Sequence, residues 1–211
     1  MANKLSIYNA SLRLIGDIKL DALTDDVEAR YVIDDVFQDA CYFCLEAGYW
    51  NFAMRAIVAE DDPSVIPQFN YQFAFGRPTD WLRTASIFAD SYERLTVTDY
   101  AYEQGYWYAN ITPLYIRYVS NDNQYGMDLG KWTMHFQRYV EAHIAAEVCN
   151  RLSQSVTIEE ELRKKEEFRK RDAQNKNAME NPARFPPLGQ WARSRAVGMR
   201  ASSLRSTGRG L

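Results

Sequence analysis

Apolar residues recur at helical spacing toward both ends of the chain and at alternating spacing through its middle. Leu5, Tyr8, Leu12 and Ile15 predict a helix over residues 4–15, with Gly16 as its stop. A turn through residues 17–23 leads to a second helix. Thr24 or Asp25 is its expected cap, since Asp25 and Glu28 have capping-box spacing. Val32, Ile33, Val36, Phe37, Ala40, Phe43, Cys44 and Ala47 then form a broad apolar stripe, and Gly48 closes the run.

From residue 50 to about 119 the grammar changes. β-branched and aromatic residues alternate with polar ones, which predicts strands over 52–58, 71–75, 84–88, 95–102, 106–110 and 114–119. Asp62 with Pro63, the stretch 76–78, Gln104 with Gly105, and Thr112 with Pro113 are the breakers. Glu103, Gln104 and Gly105 read as a hairpin loop. Beyond a polar loop at 120–123, Trp132, Phe136, Val140, Ile144 and Val148 step by four along a third helix. A fourth, over 158–178, is mostly charged. Its pairs Glu159–Arg163, Glu160–Lys164, Glu161–Lys165, Glu166–Lys170 and Glu167–Arg171 are spaced i,i+4. Each pair contributes about 0.2–0.5 kcal/mol, enough together to support a solvent-exposed helix with little packing. Pro182 ends it near residue 181.

The fold class that follows is α+β: a helical bundle from N- and C-terminal helices, an inserted antiparallel β region, and an extended C-terminal tail. The divisions fall at 1–49, 50–120, 121–180 and 181–211.

Charge sharpens the last boundary. Residues 181–211 hold six arginines and no carboxylate, while the whole chain carries −3, so residues 1–180 carry −9. An acidic body therefore ends in a basic arm too poor in apolar residues to build a core of its own. Three cysteines, an odd number, argue against a disulfide framework and for a reducing site of synthesis. No stretch approaches 18 apolar residues and the N-terminus lacks a charged-then-apolar leader, so neither a membrane span nor a secretory signal is expected.

Few residues offer catalytic chemistry. Cys41 and Cys44 are spaced like half a zinc site, but only Cys149, His135 and His143 remain as partners; Cys44 lies on the apolar stripe and reads as buried. His143 and Glu147 share a helix face with His135 two turns earlier. A metalloprotease motif would need a second His where Glu147 stands, so a polar helix flank or a subunit contact is the better reading. No nucleophile motif and no phosphate-cradling glycine loop appears. The expectation is no catalysis, no metal and no cofactor.

The tail then holds the candidate site. Phe185, Pro186, Pro187, Leu188 and Trp191 are the expected apolar anchors in a partner's pockets, with Arg184, Arg193, Arg195 and Arg200 pairing to its carboxylates. The arginines are spaced rather than clustered, which favours a protein partner. The alternative is a DNA-binding protein gripping phosphates through the same arginines; a solubilising tail without a partner is the plainest one.

Several local patterns, in order, resemble the head-to-tail adaptors of short-tailed bacteriophages, the tail tubular protein A family. They begin with Leu12-Arg13-Leu14-Ile15-Gly16 and Leu23-Thr24-Asp25-Asp26. Next comes Leu45-Glu46-Ala47-Gly48-Tyr49-Trp50-Asn51-Phe52-Ala53, similar to the family's Trp-x-Phe-Ala exit into the first strand. Tyr71-Gln72-Phe73-Ala74-Phe75 and Pro78-Thr79-Asp80-Trp81-Leu82-Arg83 resemble a strand and its Pro-x-Asp turn, with Gly76-Arg77 departing from the pattern between them. Leu114-Tyr115-Ile116-Arg117-Tyr118 and Ala145-Ala146-Glu147-Val148 complete the match, which spans about residues 5–175. The resemblance implies a homo-oligomeric ring, typically of twelve copies, in the neck of a virion assembled in the host cytoplasm. Such a ring sits between the portal protein and a tail nozzle protein, with tail fibres as further candidates for contact. DNA passes through its lumen without specific binding.

Overall fold

The computed structural model describes residues 3–180. Four helices and six strands alternate as the pattern predicts: α1 (Lys4–Ile15), α2 (Glu28–Glu46), β1 (Met54–Ala59), β2 (Phe73–Gly76), β3 (Trp81–Phe88), β4 (Ala101–Glu103), β5 (Tyr106–Ala109), β6 (Leu114–Ser120), α3 (Met134–Ser153) and α4 (Val156–Glu180). The class is α+β, with the helices drawn from both ends and the strands between them. α1 opens on a reciprocal cap between Asn3 and Ser6 and closes at Gly16, whose φ of 90° suits a residue without Cβ.

The bundle is organised around α3, which is buried nearly all round: Phe136, Tyr139, Val140, Ile144, Ala145, Val148 and Cys149 are all inaccessible or nearly so. α1 packs on it through Tyr8 and Leu12, α2 through Ile33, Phe37, Ala40 and Cys44, and α4 through Leu162 and Ala173. All three cysteines are buried and reduced. Burial pushes the Cys41 thiol up to about 12, so it stays protonated and serves as packing.

The strands form two three-stranded antiparallel sheets, ordered β1-β6-β3 and β2-β5-β4. They share a core of Phe75, Ile87, Trp107, Leu114, Ile116 and Tyr118. The Thr84 hydroxyl accepts both the Trp81 and the Trp107 indole N–H, at 3.1 and 3.0 Å, and so stitches β3 to β5 across the sheets. The predicted hairpin joins β4 to β5 as a two-residue turn with Gln104 and Gly105 both at positive φ, the conformation such turns demand. Successive residues of a strand face opposite ways. On β6, Tyr118 therefore enters the sheet core while Val119 enters the bundle core.

Four expectations need correction. Asp25 does not cap α2, whose first flanking residue is Val27 without a side-chain cap. Its carboxylate instead accepts the N–H groups of Asp21 and Ala22, closing the preceding turn. The strand expected over 95–102 shrinks to residues 101–103. Asp90 accepts the N–H groups of Arg94 and Leu95 and Glu93 is left-handed, so the chain turns tightly and Thr96 makes only one bridge to Phe88. The strand expected from residue 52 starts at Met54, because Asn51–Ala53 form a 3-10 turn. The i,i+4 ladder of α4 is sparse: Glu159–Arg163 and Glu167–Arg171 close. Arg163 and Glu166 turn instead toward α3, which ties α4 to the bundle by tertiary polar contacts.

Candidate functional site: a basic cleft on the bundle

The tail residues singled out as candidate anchors, namely Arg184, Phe185, Pro186, Pro187, Leu188, Trp191, Arg193, Arg195 and Arg200, lie outside the described residues. What the described residues offer is a cleft between α1, α3 and α4. It consists of two adjoining hollows, about 770 and 420 Å³ in volume, that share Arg13, Arg138 and Glu141 as common walls.

Helical spacing builds it. Met134, Arg138 and Glu141 recur at i, i+4 and i+7 on one stripe of α3, with Arg13 from the last turn of α1 and Arg169 from the middle of α4 on either side. Glu141 is 94% buried at the floor. Gln137 donates to it at 2.9 Å and the Arg169 guanidinium lies 3.9 Å away. Burial raises the Glu141 carboxyl above its ordinary value, opposed by the Gln137 hydrogen bond and by the fields of Arg169, Arg13 and Arg138. Arg169 is pulled below its ordinary value by burial first, then by Arg138 and Arg13, with Glu141 opposing. It nevertheless remains a cation at neutral pH.

Three guanidiniums thus face one carboxylate. Across both hollows the lining holds Arg13, Lys19, Arg138, Lys165 and Arg169 against Asp17, Glu141 and Asp172, a surplus of two positive charges on a body that carries −9. Arg13, Arg138 and Lys165 make no ion pair within 4 Å of a described carboxylate. The arrangement can hold carboxylates or other anions. It contains no nucleophile paired to a base.

Of the two histidines, His135 lines the second hollow and His143 lies away from the cleft. His143 is buried, stacked on Phe43 at 4.5 Å, with Nδ1 2.8 Å from Glu166. Glu147, expected beside it on the helix face, pairs with Arg163 at 2.9 Å. His135 lies 2.5 Å from Asp172. Each contact clamps α4 onto α3, so His143 is neither a flank nor a subunit contact but an internal one. Among the described residues no three His, Cys, Asp or Glu side chains come together as a metal site.

The residues carrying the family resemblance sit at joints of the fold. The Trp50 indole donates to the Cys44 carbonyl at 2.9 Å and meets Phe136 edge-on, while Phe52 packs on the same ring. Asp80 accepts from Ser120 at 2.5 Å, Arg55 at 2.9 Å and Tyr118 at 3.1 Å, joining the start of β3 to β1 and β6. Burial opposes its ionisation, but these donors outweigh burial and hold the carboxyl below the ordinary range. The chain matches no family model, and no characterised protein matches its sequence.

The cleft residues escaped the sequence reading because they are scattered over three helices. One signal was available: Arg138 and Glu141 stand at i,i+3 on one face of α3, with Met134 a turn before them.

Proposed function

We propose that this protein is a non-enzymatic structural adaptor of a short-tailed phage virion. It forms a ring, of about twelve copies by the family resemblance, between portal and tail nozzle around the DNA channel. The bundle and the C-terminal tail face the portal, and the β region faces the nozzle or fibres. The tail is the docking arm: Phe185 and Trp191 anchor, and Arg193 and Arg195 pair with portal carboxylates.

The observation that carries this reading is the ordered set of motifs over residues 5–175. In support, two of them, Trp50–Ala53 and the Asp80 turn, fall where strands leave or rejoin the helical bundle in an α+β subunit. Charge supports it as well. A body at −9 repels a passing duplex where its carboxylates line the lumen, and an arm with six arginines and no acid suits an acidic partner. Such an arm gives up entropy to cover a long surface, and copies acting together strengthen weak individual docking.

Truncation after Pro182 tests it. The shortened protein is expected to fold, by circular dichroism, and to fail to join portal-bearing particles in a co-sedimentation assay. Equal joining by the truncated and full chains refutes arm docking. A salt titration on duplex DNA separates the alternative: tight binding that weakens with a log–log slope of about −5 or steeper and vanishes with the tail favours a DNA-binding protein instead.

A further inference from the structure

We propose that the basic cleft between α1, α3 and α4 receives the solvent-facing stripe of α2 from a second copy of this chain, giving a directional contact between subunits. The inference rests on the ring reading above only for closure; the contact itself is argued from the two surfaces.

α2 buries Val32, Ile33, Phe37, Ala40, Cys41 and Cys44 and turns the opposite stripe outward. That stripe holds the exposed Tyr31, Asp35, Gln38 and Asp39 with Tyr42 half-buried at its end; the nearest base, Arg30, stacks on the Tyr31 ring at 3.8 Å and is engaged by Asp34. Asp35 and Asp39 are exposed, one turn apart, and form no ion pair with a described residue. The cleft offers the matching inventory: Arg13 and Arg138 unpaired, with the apolar side chains of Met134 and Phe168 exposed at its rim, 59% and 71%. Two tyrosines flank the acids on one surface, and two apolar side chains flank the bases on the other.

The two surfaces point in different directions. α3 meets α2 through Tyr139, beside Cys44, and His143, stacked on Phe43, which lie about 140–180° around the helix from the Met134, Arg138 and Glu141 stripe that faces the cleft. Cleft against cleft would set arginines against arginines, so a two-fold pairing through this surface is excluded. Only a head-to-tail contact satisfies both, and such contacts close into rings or extend as filaments. A polyanion such as duplex DNA fits the cleft but then runs over the surrounding acidic body. A short acidic stripe does not.

Full-length protein with Arg13→Glu and Arg138→Glu loses the cleft; protein with Asp35→Lys and Asp39→Lys loses the stripe. All four positions are exposed, so folding is expected to survive, and circular dichroism checks it. Sedimentation velocity at about 0.15 M salt, where the Debye length is about 8 Å, screens body–body repulsion while leaving contact pairs. Wild type at high micromolar concentration is expected to exceed the dimer mass, and each variant alone to run as a monomer. The equimolar mixture is expected to regain assembly, since the native cleft meets the native stripe and the reversed cleft of one variant meets the reversed stripe of the other.

Monomeric wild type, unchanged assembly by either variant, or a mixture of folded variants that stays monomeric overturns the proposal. So does wild-type duplex binding that the cleft variant alone abolishes while self-association persists. None of these readouts involves the portal, so failure here is distinct from failure of the adaptor reading.

Discussion

Asp80→Ala is the most informative single change to the fold. The carboxylate gathers Ser120 Oγ, Arg55 and the Tyr118 hydroxyl, and only 12% of its side chain is exposed. Tyr118 and Ser120 are themselves inaccessible, so removing the acceptor strands the Tyr118 hydroxyl, leaves the Ser120 hydroxyl only the Asp122 N–H that it accepts, and takes the counter-ion from a half-buried guanidinium. A hydrogen bond to a charged group contributes about 1.5–3 kcal/mol, but bonds sharing one acceptor do not add. Arg55 is also partly solvated, which discounts its share. The loss is expected at about 3–4 kcal/mol, within the range seen when one partner of a buried pair is removed. Equilibrium urea unfolding at pH 7 measures it. The sign with pH is fixed by the lowered carboxyl of Asp80. Its contribution is fully present above the unfolded value of about 3.9 and disappears as pH falls through the lower folded value. The gap between wild type and variant should therefore hold from pH 7 to 5 and narrow below pH 4. A gap under about 1 kcal/mol at pH 7, or one that widens on acidification, refutes the reasoning.

Gly126→Ala should destabilise severely: a Cβ there would stand 2.2 Å from the Ser120 carbonyl oxygen, and that backbone is locked in β6 while Trp132 holds the Gly126 carbonyl at 2.7 Å. A loss of more than about 3 kcal/mol, or insoluble expression, is expected, and a midpoint within error of wild type in thermal unfolding contradicts it. Tyr139→Phe should do the reverse. The Tyr139 hydroxyl is buried, and among the described residues only the Cys44 thiol, a weak hydrogen-bonding group, lies beside it, outside good hydrogen-bond geometry. Its removal should leave stability unchanged or raise it by about 1 kcal/mol in urea unfolding, and a loss above about 1 kcal/mol would show that the hydroxyl has a partner after all.

Period carried most of the fold. The 3.6-residue stripes of α1 and α2, the apolar steps of four along the buried α3 and the alternation of β5 and β6 are set by burial, and burial writes itself directly into local sequence. Local polar grammar was less legible, because one side chain can serve two motifs. Asp25 has capping-box spacing to Glu28 yet closes the turn before it. Asp90 turns a β-like run into a loop by accepting two N–H groups at once. The charged face of α4 reads as self-sufficient i,i+4 pairs, but Glu166 finds a buried histidine and Arg163 reaches Glu147 across helices. A partner 16 or 23 residues away leaves no periodic trace. The cleft is the extreme case: Arg13, Arg138 and Arg169 meet only through tertiary packing around Glu141.

The size of the proposed subunit contact follows from how this fold spends its charges. Internal joints use matched, half-buried groups: Asp34 with Lys4, Arg30 and Tyr8, Asp80 with Arg55, and Glu166 with His143. Arg13, Arg138, Asp35 and Asp39 are left exposed, where an ion pair contributes about 0–1 kcal/mol. Two such pairs cannot offset the 4–15 kcal/mol lost when two subunits give up independent motion. Burying Met134 and Phe168 against Tyr31 and Tyr42 adds roughly 1.5–3 kcal/mol for each apolar side chain fully covered. Apolar rim contacts therefore set the strength of the contact, while the charges set its direction and reject the cleft-to-cleft alternative. A contact of that size is weak between two free subunits, which therefore associate only at high micromolar concentration. It becomes decisive when neighbours are held side by side on a common partner, because each added copy is then captured at high effective concentration. In the proposed adaptor the basic arm would hold them there and the opposed faces would orient them.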